Sequence, residues 1–176
     1  AAAEQKLRFG WVTPDSPGCS VAATHDGKPV LNRAYGLADL ERQVPITPST
    51  VFDAGSVMKQ FVAASVLLLV DDGRLKLTDD IRKYFPELPD YGHTVTVDHL
   101  LTHTSGVRDW TGILPFAADN PDALTVTLRQ QGLNFVPGEE WAYSNGGYVL
   151  ARELVARVSR MPFGEFARTR LFEPLG

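Results

Sequence analysis

The feature that most constrains this chain is the run from Phe61 to Val70, in which every residue except Ser65 is apolar and no polar stripe recurs at helical spacing. A helix apolar nearly all round is expected to be buried, and ten such residues fall well short of the ~20 needed to span a bilayer. Gly73, after Asp71-Asp72, supplies a left-handed stop. The start is Gly55-Ser56-Val57-Met58-Lys59, which places a serine and a lysine three apart, on one face of a helix. A cation in a first helical turn opposes the helix dipole, at a cost of ~0.3–1 kcal/mol, and beside a core segment it is also poorly solvated. Both effects favour a neutral amine, the form that can take a proton from the serine hydroxyl. Amides at the same helix start could stabilise an anion forming at the serine. The simpler alternative is that Ser56 only caps the helix.

The 176 residues are enough for one domain with a real core. With 17 Lys+Arg against 21 Asp+Glu, the net charge is −4, and no basic run points to nucleic acid. Cys19 stands alone, so no internal disulfide is expected. Ala1-Ala2-Ala3-Glu4 lacks the basic and apolar regions of a signal peptide.

Ahead of the apolar run, Ser20–Ala23 and Pro29–Ala34 read as short strands joined by a turn at His25-Asp26-Gly27-Lys28. Gly36 to Pro48 reads as a polar link, and Val51-Phe52 as a further short strand. Beyond it, Thr78-Asp79-Asp80 caps a helical turn through Tyr84. Thr96–Thr102 and Pro121–Gln131 read as helical, Asp109–Asn120 and Leu133–Trp141 as loops. Asn145–Arg160 is an amphipathic helix with Leu150, Leu154, Val155 and Val158 on one face and Glu153 paired with Arg157 on the other. Pro162–Leu171 adds one more helix.

Two other places carry chemistry. In Tyr143-Ser144-Asn145 a phenol beside a cation could shuttle a proton, and the asparagine amide could hold a substrate carbonyl or orient the lysine; alternatively, Ser144 or Asn145 caps the helix and Tyr143 packs beneath it. His99 and His103 lie at i, i+4, with Asp98 and His93 near, which is compatible with a shared metal. Leu100 and Leu101 occupy the spacer, however, so the H-E-x-x-H pattern is absent, and histidines hydrogen-bonded beneath a loop are the preferred reading. No metal and no cofactor is expected. Walker, Rossmann and G-x-S-x-G patterns are absent.

Four blocks together resemble a known family: Gly55–Phe61, Leu100-Leu101-Thr102-His103-Thr104-Ser105-Gly106, Pro137-Gly138 ahead of Tyr143-Ser144-Asn145, and Phe172-Glu173-Pro174-Leu175-Gly176. In order and spacing they are similar to the serine β-lactamase and penicillin-binding protein superfamily. The branch is that of class C β-lactamases, D-alanyl-D-alanine carboxypeptidases and related esterases. The resemblance runs from about Gly18 to the last residue. It implies an α+β fold of the β-lactamase/transpeptidase type: N-terminal strands of an antiparallel sheet (residues 1–55 with their link), then a mainly helical region (56–176), with the C-terminal part of the sheet missing.

The resemblance also implies roles: Ser56 as nucleophile, Lys59 as its partner, Tyr143 as general acid/base and Asn145 as a substrate contact. Its implied substrates are a β-lactam, a D-Ala-D-Ala peptide or a small ester. It argues against zinc at Leu100–Gly106, and Tyr143 in place of the first serine of S-D-N leaves Glu139 and Glu140 without a catalytic role. Only the resemblance bears on compartment, pointing to a periplasmic or secreted protein. The family's third motif, K-T-G or H-x-G on a later strand, has no match after Asn145; His25-Asp26-Gly27 fits as letters only, in a hairpin turn. Missing strands would leave an exposed sheet edge, so a second chain, a swapped dimer or the remainder of a longer chain is expected to complete the sheet. The rival expectations are a sensor that acylates once without turnover, and an inactive fragment needing a complementary chain.

Overall fold

The computed structural model describes residues 12–117 and 119–175. The chain divides between Ala54 and Gly55 into two compact units.

In the first unit β1 (Cys19–His25) and β2 (Lys28–Tyr35) form an antiparallel hairpin. Its turn falls at Asp26 and Gly27, with φ of 49° and 72°. Two consecutive left-handed residues match the right-handed twist of the strands, and Asp-Gly is a preferred pair for that geometry. The register shifts between Ala23 and Thr24, leaving Val30 as the bulged residue.

The expected polar link contains a second pair instead: β3 (Leu37–Asp39) against β4 (Val44–Pro45). Asp39 closes its turn, accepting from the Arg42 amide at 2.9 Å and from the Arg42 guanidinium at 3.0 Å. The two pairs are separate two-stranded sheets, not one continuous sheet. The strand expected at Val51-Phe52 does not form. Both side chains are exposed, at 92% and 51%. A β-branched and an aromatic residue favour extended backbone, but a strand also needs a neighbour to pair with, and among the described residues none pairs with them.

The second unit is helical. Helix α1 (Met58–Asp71) follows a 3₁₀ turn at Gly55–Val57. It ends as expected at Gly73, φ 68°, whose amide donates to the Val70 carbonyl while the Arg74 amide reaches the Leu69 carbonyl. Burial differs from expectation: Val62, Ser65, Val66 and Leu69 are buried, but Leu67 on the far side is 49% exposed. The described elements cover one side of α1, and apolar composition alone cannot recruit a cover for the other. Ser65 is tolerated inside because its hydroxyl donates to the Phe61 carbonyl one turn back, at 2.8 Å.

Asp80 caps a 3₁₀ turn at Ile81–Lys83, and Thr96 caps α2 (Val97–Leu101). The stretch expected to be loop at Asp109–Asn120 instead holds a 3₁₀ helix, Trp110–Phe116, with Asp109 at its N-cap. Helix α3 is shorter than expected, Ala123–Leu128 capped by Asp122. Helix α4 runs Asn145–Ser159 and stops at Arg160 in the left-handed region. Helix α5 (Phe163–Ala167) continues through a π-helical turn at Arg168–Phe172.

Helices α1, α2, α3 and α5 all pack on α4. Between them lies one core that includes Val66, Leu69, Ile81, Phe85, Leu100, Leu150, Leu154 and Phe166. On the outer face of α4, Arg157 bonds Glu153 at 2.9 Å, as the i, i+4 spacing predicts, and also reaches Glu87 at 2.6 Å and the Tyr84 carbonyl at 2.9 Å. Among the described residues no helix is long and apolar enough to cross a membrane.

Candidate active site

Ser56 sits in the exposed 3₁₀ turn at the start of α1, one residue before the Val57 N-cap. Lys59, half-buried one turn on, places Nζ 3.1 Å from Ser56 Oγ. The i, i+3 spacing brings the two side chains to one face where the 3₁₀ turn runs into α1.

The other two predicted residues arrive from far along the chain. Tyr143 OH donates to Ser56 Oγ at 2.6 Å, and Lys59 Nζ donates to Asn145 Oδ1 at 2.8 Å. All four residues expected from the sequence therefore share one hydrogen-bonded cluster: Ser56 in contact with Lys59 and Tyr143, and Asn145 in contact with Lys59. Ser144 between them is the cap of α4, its hydroxyl accepting from the Gly147 amide at 3.0 Å. The expected cap therefore forms at Ser144, but Tyr143 does not pack beneath the helix. The buried serine starts the helix, while Tyr143, 43% exposed, turns outward to Ser56.

Lys59 Nζ also lies 4.6 Å from the centre of the Tyr143 ring. The hydrogen bond from Lys59 pulls the Tyr143 phenol below its ordinary range; the Ser56 bond and the lysine charge add to this, against the smaller opposing effects of burial and of Asp109. A phenolate is therefore more accessible here than on a free tyrosine.

Three residues at the site were not singled out for it by the sequence. His103, weighed as a metal ligand, instead accepts from the Ser144 amide through Nδ1 at 3.1 Å. Its ring lies against Tyr143, with centroids 4.6 Å apart. Burial first, and the Lys59 charge second, hold the imidazole below its usual pKa, so it stays neutral and able to accept. His99 accepts from the Thr96 amide in the cap of α2. Among the described residues no three His, Cys, Asp or Glu side chains gather as for a metal.

Tyr148 packs on the other side of His103 at 5.1 Å and anchors its hydroxyl on the Leu101 carbonyl at 2.9 Å. It lies three residues after Asn145, so helical spacing could have found it. Asp109 had no comparable signal. Its carboxylate accepts from Asn145 Nδ2 at 2.9 Å and from the Asn145 amide at 3.4 Å, across 36 residues. The cleft in front of Ser56 and Lys59 is lined further by Val62, Trp110, Thr111, Val149 and Arg152.

Two glycines let these loops close on one another. Gly106, φ 69°, has the Phe135 carbonyl 2.4 Å from where a Cβ would stand, and Gly146 has the Arg108 carbonyl at 2.6 Å. Any side chain there would push the loops apart.

Sequence and fold comparisons place the chain in a family. The Beta-lactamase family model matches residues 4–176. Penicillin-binding protein 4* of Bacillus subtilis is 34% identical over 166 residues, covering 89% of this chain and 36% of that protein. The octameric penicillin-binding protein homologue of Pyrococcus abyssi superposes with a TM-score of 0.81 at 30% identity, over 99% of this chain and 42% of the other. The D-amino acid amidase of Ochrobactrum anthropi SV3 gives 0.75 at 33%, over 90% and 45%. The chain belongs to the Beta-lactamase family, that of the serine β-lactamases and penicillin-binding proteins, with an α+β fold of that type. It spans between a third and a half of the length of these relatives.

Proposed function

We propose that the chain carries the acylation machinery of a serine hydrolase. The supporting observation is the convergence of Lys59 Nζ and Tyr143 OH on Ser56 Oγ, at 3.1 and 2.6 Å. In this reading Ser56 Oγ attacks a carbonyl carbon and its proton passes to Tyr143 as phenolate or to Lys59 as amine. Deprotonating Tyr143 reverses its hydrogen bond, so that Ser56 donates and the phenolate accepts. The Ser56 amide at the helix start supplies one donor to the oxyanion. Collapse of the tetrahedral adduct expels the amine or alcohol, which takes the proton back from Tyr143 and leaves an ester on Ser56. Water then cleaves that ester, releasing the acid and restoring the hydroxyl. Asn145, bonded to Lys59, orients the lysine and presents its amide to the substrate carbonyl.

The substrate classes are β-lactams, D-Ala-D-Ala peptides, small esters and, by likeness to the D-amino acid amidase, amides of D-amino acids. The second oxyanion donor is assigned to a strand bearing the third motif, supplied by further chain or by a partner. The test is intact-mass spectrometry of the protein after incubation with a penicillin and with an activated ester. The expected result is one acyl adduct on the wild type and none on Ser56→Ala; an adduct that survives Ser56→Ala overturns the assignment.

A further inference from the structure

Asn145 can meet Lys59 with either end of its carboxamide, and only one orientation offers an acceptor. Asp109 stands on the other side of that amide, 2.9 Å from Nδ2. A carboxylate only accepts, so it takes the NH₂ end and leaves Oδ1 for the Lys59 proton at 2.8 Å. Turned over, the amide would set its oxygen against the carboxylate and its NH₂ against the lysine. We propose that Asp109 is a positioning residue that locks the Asn145 carboxamide and, through it, holds Lys59 beside Ser56. This rests on reading Ser56 and Lys59 as a nucleophile and its proton partner.

Two further observations bind Asp109 to this task. Its other oxygen accepts from the Thr111 amide at 3.0 Å, starting the 3₁₀ helix whose Trp110 and Thr111 line the cleft. One carboxylate therefore ties a wall of the cleft to the amide that orients the lysine. The approach is also built into the backbone. Gly146, next to Asn145, meets the Arg108 carbonyl with no room for a Cβ, and Gln130 Nε2 holds that same carbonyl at 3.1 Å. The loop carrying Asp109 is thus held both by the first turn of α4 and by Gln130, just after α3.

The test is Asp109→Asn in the 176-residue chain, alone and combined with Asn145→Ala. Asparagine keeps the size and the capping oxygen but presents NH₂ to Asn145, favouring the turned-over amide. Acylation at saturating ester is expected to fall about 10- to 100-fold, while the ester concentration giving half-saturation moves by less than about twofold. In the Asn145→Ala background the same change is expected to cost under about twofold, because the group Asp109 acts through is gone. An equal loss in both backgrounds, or none in either, overturns the proposal.

A second measurement does not depend on activity: ¹⁵N NMR of the Asn145 side-chain NH₂. Its protons are expected to exchange slowly in the wild type and quickly in Asp109→Asn. If exchange ignores Asp109, the positioning role is wrong. If exchange responds to Asp109 but the wild type accepts no acyl group, the hydrolase reading fails and the lock on Asn145 stands.

Discussion

The two units of the chain are held together by different means. In residues 12–54 two hairpins rely on their backbone ladders, and Leu31 and Ile46 are the buried apolar side chains among the described residues. In residues 55–175 five helices share one core around α4. A two-stranded hairpin with little burial is marginal by itself, because ladder bonds are exchanged for bonds to water at small net gain. A helical unit with a continuous core can fix side chains to within a hydrogen bond. Every residue of the candidate site is mounted on that second unit.

The sharpest test of this contrast is chemical. Tyr143→Phe removes only a hydroxyl from the packed unit and is expected to slow acylation of Ser56 by about 10²–10⁴-fold with the fold unchanged, read by stopped-flow. The pH profile adds a sign. Because the Lys59 hydrogen bond, then that of Ser56, lowers the Tyr143 phenol below 10, acylation is expected to rise with pH to a midpoint below that value. Lys59→Met removes the main cause and should move the midpoint upward. A flat profile would take Tyr143 out of the proton path.

Next in size are the cores. Phe85 is fully buried beneath Arg157, and Phe85→Ala is expected to cost about 3–5 kcal/mol in urea unfolding. Leu31→Ala, in the hairpin unit, should cost about 1 kcal/mol and leave the acylation rate untouched. Equal costs would break the comparison. The smallest expected effect lies at Asp79, whose carboxyl is held near a pKa of about 2, first by the Tyr84 hydroxyl, then by the Lys76 amide and by Lys83. Its stabilisation is complete above the unfolded value of 3.8 and is lost as pH falls toward 2. Thermal midpoints of wild type and Asp79→Asn should therefore converge as pH drops through that window.

What could be read locally was read well where one strong signal acted alone. Asp26-Gly27 turned the first hairpin, Gly73 stopped α1, and the spacing of Leu150, Leu154 and Val155 defined the buried face of α4. Reading failed where a partner had to be supplied. Val51-Phe52 has strand residues but no strand partner among the described residues. β3 and β4 are three and two residues long, too short for an alternating pattern to show, and exist because they pair with each other. Trp110–Phe116 looked like loop because its helix is a single 3₁₀ run with Pro115 inside it. Asp109 opens a stretch that reads as loop, and only folding places Asn145 against it.

The sequence by itself determined the chemistry within one turn of helix. Ser56 and Lys59 are three residues apart, and the 3₁₀ turn that runs into α1 makes them neighbours wherever that helical start forms. Only the tertiary structure decided that Tyr143 and Asn145, 87 and 86 residues from their partners, would complete the cluster. Their meeting depends on α1 docking against α4 across a core whose volumes must fit together, and on Gly106 and Gly146 letting the loops close. Local spacing is a property of one helix. A long-range contact is a property of all the side chains packed between.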